Sequence, residues 1–465
     1  MNRSAALIAV ALLPIGVGIY YADRTARVAS AYKAKDLCSE IFLAGRKPAA
    51  VEAVDFKNIN PALDYAHPSV DQNKKSVAVS IFGLGAARAI YRDGYGCTIV
   101  AGGAPAPLPA APETTPAEPL QEAPPVSGRA ISRVDYGALE LALNTAISDE
   151  ATRSRALVVL VDGKIAGERY APGFGDETPL LSWSMAKSVT ASLVGAAVLK
   201  GYINVDDPAP VPEWKGDPKR SAVTWNDLLR MQSGLKFDET YNDPNSDVSE
   251  MLFRARDAGG VAAREPLLYK PGEHWSYSSG TANIVARALR QVLEAHGTTI
   301  YKFARDDLFG PIGATSFTME PDSSGTPIGS SYIYATARDW ARLGELYLEH
   351  GVWGGRRLLP EGWTDYVARD TTASDGEYGA MFWLNRDGSS GRPRYVKGLP
   401  QDVYYMAGHE GQYVFIIPDK YAVIVRLGMT RTGEENALEF VGPFISSIAQ
   451  AIGDAPAPAA AGAGQ

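Results

Sequence analysis

The chain has 465 residues, of which 46% are hydrophobic and 21% are charged, so it can bury a large core and hold two or three domains. Its formal net charge of −8 is mild and no long basic run occurs, which argues against nucleic-acid binding. Its two cysteines, Cys38 and Cys97, are too few for a cysteine metal site. In an oxidising compartment they can form one disulfide, whereas a cytosolic protein would keep them as buried thiols.

The N-terminal segment determines the expected compartment. Arg3 precedes an apolar run from Ala5 to Tyr21, which suits a signal peptide or a short membrane-spanning helix. No clean small-residue cleavage site follows, which favours an uncleaved anchor over residues 1–22. Both alternatives place the remaining chain outside the cytoplasm, in the periplasm, and favour a disulfide between Cys38 and Cys97.

A small accessory module is predicted at residues 31–100. Ser76 to Phe82 alternates apolar and polar residues and predicts a strand. Two more strands are predicted at Ala89 to Tyr91 and at Thr98 to Val100, with Asp93-Gly94 as the turn between them.

A linker at residues 101–130 separates this module from the next region. It contains eight prolines between Ala104 and Pro125, a composition typical of an extended spacer that cannot pack a core. A tail rich in alanine, proline and glycine, residues 454–465, is predicted to be disordered.

Residues 131–453 form the main region, for which we predict an α/β (α+β) fold. The apolar run Leu157 to Val161 and the segment Lys164 to Tyr170 predict a hairpin, and Tyr413 to Ile417 and Ala422 to Leu427 predict two later strands. Four helices are predicted between these strands: Lys187 to Leu199, Asn226 to Met231, Asn283 to Ala295 and Ala337 to Glu349. The pattern indicates an antiparallel sheet built from both ends of the region and flanked by helices, with a helical subdomain between.

A serine–x–x–lysine pattern occurs three times, at Ser30, Ser184 and Ser233. Residues three apart on a helix share a face, so the amine of Lys187 can reach the hydroxyl of Ser184. A lysine that is buried loses its charge readily and can then act as a base. Only Ser184 opens a predicted helix with an apolar far side, so we prefer Ser184 and Lys187 as nucleophile and base. The alternative is a serine that merely caps this helix.

Two later segments carry further candidate residues. Tyr277 lies in a short polar loop before a helix, and a tyrosine near a lysine can become a phenolate and shuttle a proton, although a packing role is the alternative. Gly411 precedes a strand, where a glycine lets substrate lie against the backbone and the amide of Gln412 can face an oxyanion. The alternative is a glycine-rich hairpin entry. His409 is interpreted as a substrate contact rather than as the general base.

Taken in order, these segments resemble the serine β-lactamase and penicillin-binding-protein superfamily. Within it they are most similar to the class C-like branch and to the 6-aminohexanoate-dimer (nylon oligomer) hydrolases. Ser182 to Thr190 is similar to the first motif of that group, Val223 to Gly234 to its helix and turn, and Tyr277 to Gly280 to its second motif. The segment His409 to Gln412 stands where true β-lactamases have Lys-Thr-Gly. The resemblance covers Val158 to Ile448.

The resemblance implies acyl transfer on small esters or amides, with no metal and no organic cofactor. Ser184 attacks a carbonyl, Lys187 and Tyr277 manage the proton, and the backbone amides of Ser184 and Gln412 hold the oxyanion. Water then releases the acyl-enzyme.

Substrate contacts are expected from Ser279, His409, Glu410 and Gly411. Ser279 replaces the asparagine of class C β-lactamases, and Glu410 occupies a motif whose lysine would attract a β-lactam carboxylate. These departures favour a periplasmic, membrane-tethered ester or amide hydrolase. The alternatives are a D,D-peptidase or β-lactamase acting on the cell wall, and a non-catalytic envelope-binding protein with the same fold.

Overall fold

A computed structural model of the chain describes residues 3–111, 120–121, 131–431 and 436–455, with only the helical backbone for residues 3–17 and 19. The N-terminal region contains α1 (Arg3–Phe42), α2 (Pro48–Val54), β1 (Ala66–Asp71), β2 (Ser76–Ile81), β3 (Leu84–Arg92) and β4 (Gly96–Ile99). The main region begins with α3 (Tyr136–Ser148), β5 (Ser154–Val161), β6 (Lys164–Tyr170), β7 (Leu180–Leu181), α4 (Met185–Leu199), α5 (Trp225–Leu229), α6 (Asp247–Phe253) and α7 (Ala258–Ala263). It continues with α8 (Ser279–Ala295), α9 (Ile300–Ala304), β8 (Thr318–Met319), β9 (Ile333–Ala335), α10 (Ala337–Leu348), β10 (Val352–Trp353), β11 (Arg356–Arg357), α11 (Trp363–Ala368), β12 (Trp383–Leu384), β13 (Tyr404–Gly408), β14 (Gln412–Ile417), β15 (Ala422–Gly428) and α12 (Leu438–Gln450).

The N-terminal region is a four-stranded antiparallel sheet, in the order β1–β2–β3–β4, covered by the second half of α1. A Cβ atom at Gly85 of β3 would lie 2.3 Å from the backbone nitrogen of Arg27, so the absence of a side chain lets the strand touch the helix. Cys38 of α1 and Cys97 of β4 form a disulfide with a Cα–Cα distance of 6.1 Å, which confirms the predicted bond.

The three strands predicted in the accessory module are confirmed as β2, β3 and β4. The strand β1 was missed because His67 and Pro68 interrupt its apolar alternation. The helix α1 runs without a break across the predicted boundary between anchor and module. Across the described residues, no helix combines the length and apolarity needed to cross a membrane. The anchor and the periplasmic location stay predictions.

The main region is organised around a six-stranded sheet in the order β12–β13–β14–β15–β5–β6, in which every pairing is antiparallel. The strand β5 from its beginning pairs with β15 from its end, for example Val158 with Val425. The predicted sheet built from both ends of the region, and the predicted fold class, are therefore confirmed.

Alternate residues of the central strand β5 enter two different cores. Val158 and Leu160 pack towards α4, α8 and α10, whereas Leu157, Val159 and Val161 pack towards α3 and α12. A strand that is covered on both faces reads as a continuous apolar run, which is why this segment lacks alternation in the sequence. The helix α4 therefore packs against one face of this sheet.

Buried ionic contacts join the N-terminal region to the main region. Lys35 of α1 pairs with Glu320, and the two side chains are 3% and 0% exposed. Ser39 donates a hydrogen bond to the same carboxylate at 2.8 Å, and Arg155 of β5 donates to Asp55 at 2.8 Å. Buried charges need such partners because desolvation is costly. The N-terminal region is therefore docked on the main region rather than tethered at a distance.

The described parts of the predicted linker also follow the surface of the main region. The amide of Ala106 donates to the Ser323 carbonyl at 2.9 Å, and the amide of Ile165 donates to the Gln121 carbonyl at 2.9 Å. The described parts of this segment therefore lie against the main region, and its role as an extended spacer stays a prediction. Residues 112–119, 122–130 and the predicted tail at 456–465 lie outside the described residues.

Candidate active site

Ser184 lies on the turn that leads from β7 into α4. The preceding residue, Trp183, has φ 45°, a left-handed conformation that is strained for a non-glycine residue. Ser184 occupies the N-cap position with φ −67° and ψ −6°, and its side chain makes no capping hydrogen bond. The capping alternative is therefore contradicted. The serine hydroxyl is left for other partners.

Lys187 lies one turn into α4 and is only 1% exposed. Its Nζ lies 2.9 Å from Ser184 Oγ, 3.0 Å from Ser279 Oγ and 3.1 Å from the carbonyl oxygen of Ser330. Burial lowers the pKa of Lys187 to about 8, and the negative charge of Glu239 opposes this shift. A substantial fraction of the amine is therefore neutral near physiological pH.

The three contacts of Lys187 divide into two that it donates and one that it can accept. The Ser330 carbonyl can only accept, and Ser279 Oγ donates its own hydrogen to Glu239 Oε1 at 2.5 Å, so both take a hydrogen from Nζ. In the neutral amine those two hydrogens are used, and the lone pair remains for the Ser184 hydroxyl. The geometry thus makes Lys187 an acceptor for the Ser184 proton.

The other two serine–x–x–lysine pairs are arranged differently. Lys33 pairs with Glu52 at 2.9 Å, and Lys236 pairs with Asp247 at 3.4 Å on the surface. Within the described part of the chain, only Ser184 and Lys187 of the three pairs form a direct serine–lysine contact. The direct contact distinguishes this pair from the other two, and the roles of nucleophile and base stay predictions.

Tyr277 is half-buried beside the lysine, whose Nζ lies 4.7 Å from the centre of the phenol ring. Burial raises the pKa of Tyr277, the charge of Glu239 raises it further, and a hydrogen bond with the Ser184 side chain opposes both. The phenol is consequently neutral at pH 7, in contrast to the phenolate considered from the sequence. Trp383 and Tyr378 hold its ring, at 5.4 and 5.9 Å between ring centres.

Glu239 and Tyr241 were not predicted from the sequence. The Glu239 carboxylate accepts from the Ser279 amide at 2.8 Å and from the Tyr241 hydroxyl at 2.9 Å. Ser279 was expected from the sequence to contact substrate. In the structure its hydroxyl links Glu239 to Lys187. Glu239 and Tyr241 lie in an irregular segment without a motif, and the only sequence signal beside them is the apolar Phe237, which is partly buried in the structure.

Of the predicted site residues 409–412 in the hairpin between β13 and β14, His409 and Glu410 line the cavity, and Gly411 and Gln412 do not. His409 is exposed and lines the cavity in front of Ser184, together with Gly408 and the buried Glu410. Gly411 has φ 80°, and a Cβ there would lie 2.6 Å from an Arg426 nitrogen, so this glycine supports the hairpin rather than touching the cavity.

Gln412 lies behind the hairpin and not at the cavity. It is 2% exposed, and its side-chain amide donates to the Gly428 carbonyl at 2.6 Å. In the β13–β14 pairing it stands opposite Gly408, and it is not among the residues that line the cavity. A Cβ at Gly408 would lie 2.1 Å from the Ser182 carbonyl, so the backbone of β13 runs directly beside the turn that carries Ser184.

The cavity has a volume of about 580 Å³ and an aromatic wall. Its lining includes Ser184 and Glu239 of the main region and Asn58 and Ile59 of the N-terminal region. Its aromatic members are Tyr241, Tyr277, Trp383, Tyr395, Tyr405 and Tyr413. This volume is in the usual range for a small-molecule site, about 300–1,000 Å³.

The model of the family described as Beta-lactamase matches residues 142–439, which is more than half of the chain. The chain belongs to the beta-lactamase family. Among curated proteins, the 6-aminohexanoate-dimer hydrolase of Paenarthrobacter ureafaciens is 28% identical over 300 residues, 60% of this chain and 73% of that protein.

Solved structures of beta-lactamase-like proteins share the fold. A Bacillus anthracis protein named as a candidate 6-aminohexanoate-dimer hydrolase has a TM-score of 0.57 at 20% identity, covering 73% of this chain and 89% of that one. A family VIII carboxylesterase has a TM-score of 0.54 at 13% identity, covering 68% and 97% of the two chains. The predicted superfamily and the predicted hydrolase class are confirmed, and the class C-like branch stays a prediction.

Proposed function

We propose that this beta-lactamase-family protein hydrolyses esters or small amides through an acyl-enzyme on Ser184. The observation that carries the proposal is the 2.9 Å contact between Ser184 Oγ and the buried Lys187 Nζ. With a pKa of about 8, the lysine is neutral in about a tenth of molecules at pH 7 and in about half at pH 8.

In the acylation step, Ser184 Oγ bonds to the substrate carbonyl carbon while its proton passes to Lys187 Nζ. The carbonyl oxygen takes up the negative charge as the tetrahedral intermediate forms. When the bond to the leaving oxygen or nitrogen breaks, the neutral Tyr277 phenol donates a proton to that atom and regains one from Lys187. Water then attacks the acyl carbon with Lys187 as base, and Ser184 leaves with the returned proton.

The oxyanion needs two donors near Ser184, and we assign these to the backbone amides of Ser184 and His409. The second assignment replaces Gln412, which was chosen from the sequence. The support is that His409 and Gly408 line the cavity, whereas Gln412 is buried behind them. The close approach of Gly408 to Ser182 brings this part of the backbone next to the nucleophile.

The side chain of Glu410 supports an ester or amide substrate over a β-lactam. It belongs to the segment that we compare with Lys-Thr-Gly of β-lactamases, and the described cavity lining has this carboxylate and no lysine to attract a β-lactam carboxylate. Its Oε1 is 3.3 Å from Arg431 Nε, so the nearby cation is already paired. A peptidase or β-lactamase function therefore has less support in this cavity.

The test is a panel of p-nitrophenyl esters, amino-acid amides and nitrocefin with wild-type, Ser184→Ala and Ser30→Ala proteins. Ser30 is the matched control, because it has the same spacing to a lysine and its buried hydroxyl has no partner among the described residues. We expect Ser184→Ala to lose about 10³-fold or more in kcat and to lose labelling by a fluorophosphonate. Ser30→Ala retains both.

Three outcomes would contradict the proposal. Equal ester cleavage by Ser184→Ala would exclude Ser184 as nucleophile. A clear preference for nitrocefin would favour the β-lactamase alternative. No cleavage and no fluorophosphonate labelling of the folded wild type would favour the non-catalytic alternative.

A further inference from the structure

We propose that the N-terminal region forms a specificity wall of the active-site cavity, in which Ile59 limits the apolar chain of the substrate. The inference rests on the proposed hydrolase function and extends it to a part of the chain that the family match, residues 142–439, does not include. The chain in question is an unbranched hydrocarbon chain, on either the acyl side or the leaving-group side of the ester or amide.

The wall is the loop that follows α2. Asn58 and Ile59 of this loop line the same cavity as Ser184, and Ala437 and Leu438 at the start of α12 line it as well. Ile59 retains 38% exposure, so an isoleucine that could have been buried in the module core instead presents apolar surface at the cavity. An apolar chain that covers Ile59 removes this surface from water, and Leu438, which is only 3% exposed, adds an apolar contact from the same lining.

This loop is held in place by the main region. The Asp55 carboxylate accepts from Arg155 at 2.8 Å and from Arg46 at 2.9 Å, and the Asp55 carbonyl accepts from Arg431. Asn58 has φ 60°, a conformation that asparagine tolerates better than most residues. The wall is therefore preorganised, which is what a side chain needs to discriminate by size.

The charged residues next to this loop are paired with each other, so they do not favour a charged substrate group at Ile59. Glu410 and Arg431 line the cavity next to the loop and are paired with each other at 3.3 Å. Tyr405 and Tyr413, which are 1% and 3% exposed, also belong to the lining. The wall thus suits hydrocarbon rather than a charged or strongly polar group.

The experiment measures kcat/KM for two homologous series with wild-type, Ile59→Ala and Ile59→Trp proteins. One series varies the acyl chain of p-nitrophenyl esters from acetate to decanoate, and the other varies the alkyl alcohol of one acetate ester. The matched control is Val54→Ala, an aliphatic residue of α2 with 43% exposure that does not line the cavity.

We expect Ile59→Trp to lower kcat/KM for the longest members of one series about tenfold and to leave the shortest unchanged. Ile59→Ala moves the preferred length in that series upwards, and Val54→Ala keeps the wild-type profile. The series that responds identifies the acyl or the leaving-group side. Unchanged profiles for both Ile59 variants in both series would overturn the proposal.

Fluorophosphonate labelling separates this failure from failure of the proposed function. If wild type and variants label equally and hydrolyse esters with one common length profile, only the wall inference falls. If the folded wild type neither labels nor hydrolyses any ester, the proposed function falls and the wall inference with it. Equal melting temperatures of the variants show that a changed profile is not caused by misfolding.

Discussion

The proton affinity of one lysine is the quantity on which the proposed chemistry depends. Burial lowers the pKa of Lys187 to about 8, while the carboxylate of Glu239 acts in the opposite direction. Ser279 lies between the two, since it accepts from Lys187 and donates to Glu239. Glu239 is thus a positioning residue, because it acts on Lys187 through Ser279 and through its charge.

Replacing Glu239 by glutamine tests this arrangement. Without the negative charge, burial acts unopposed and the pKa of Lys187 falls below its wild-type value of about 8. The base works when neutral, which is above its pKa, so the rising limb of the kcat profile moves to lower pH. The measurement is a pH–rate profile with the best p-nitrophenyl ester.

Glu273→Gln is the matched control, because that carboxylate is 61% exposed and pairs with Lys270 on the surface. Its profile is expected to coincide with that of wild type. A limb that stays in place, or that moves to higher pH, in Glu239→Gln would show that Glu239 does not set the protonation of the base.

Individual site residues differ in how far the sequence predicts them. Ser184 and Lys187 share a helix, so their contact follows from spacing alone once the helix is identified. Glu239 reaches Lys187 only because an irregular loop folds back onto the start of α8. We propose the amide of His409 in place of that of Gln412, because the sequence gives no sign of which backbone amide in a tight hairpin faces the cavity.

Among the structural elements, the β13–β14 hairpin carries the proposed oxyanion donor and depends on one buried arginine. Arg426 of β15 is 1% exposed and donates to the carbonyl oxygens of Glu410 at 3.0 Å and Gly411 at 2.7 Å. It also donates to Ser154 at 3.1 Å and to Thr152. The hairpin tip is therefore held from the neighbouring strand.

Arg426→Lys is expected to loosen this hairpin tip. A lysine has one donor group in place of the guanidinium fork and cannot hold carbonyls on two sides, so we expect kcat to fall about tenfold with a smaller change in KM. The free energy of unfolding falls by about 2–4 kcal/mol, because buried acceptors lose their donor. Steady-state kinetics and urea unfolding measure the two effects.

The control is Arg356→Lys, at a position where the side chain is 57% exposed in the short β10–β11 hairpin. We expect it to leave kcat and stability close to wild type. If Arg426→Lys lowers stability with no loss of kcat, Arg426 supports the fold only and does not position the hairpin for catalysis.

Strands and helices could be predicted from the sequence where their pattern of apolar residues extends over several residues. The strands β5, β14 and β15 and the helices α4, α8 and α10 have continuous or periodic apolar residues, and the predicted and observed ends differ by a few residues. The strands β7, β8 and β12 have two residues each, so they exist only through their tertiary pairing and leave no periodic signal.

For the molecule as a whole, the docking of the N-terminal region depends on buried charge pairing. Removing Lys35 leaves the fully buried Glu320 carboxylate without its cation, and we expect Lys35→Met to lower the free energy of unfolding by about 3–5 kcal/mol. The double variant Lys35→Met/Glu320→Gln recovers part of this loss, because no unpaired charge remains. Urea unfolding of the full chain measures both.

Lys75→Met is the matched control, since Lys75 pairs with Asp93 at 47% and 81% exposure and such pairs contribute at most about 1 kcal/mol. A loss in Lys35→Met no larger than in this control would mean that the Lys35–Glu320 pair does not hold the two regions together.

The cavity is lined by Ile59 from near the beginning of the chain and by Leu438 from near its end. The order in which the chain is synthesised therefore determines when the cavity can form. As the chain leaves the ribosome, Lys35 emerges long before Glu320, so Lys35 is made well before the carboxylate with which it pairs. Contacts across such sequence separations form late and make folding slow. Under the proposed mechanism, we therefore expect activity only once α12 has been made and has packed. A chain that stops short of α12 would contain Ser184 and Lys187 but would lack Leu438 in the cavity lining.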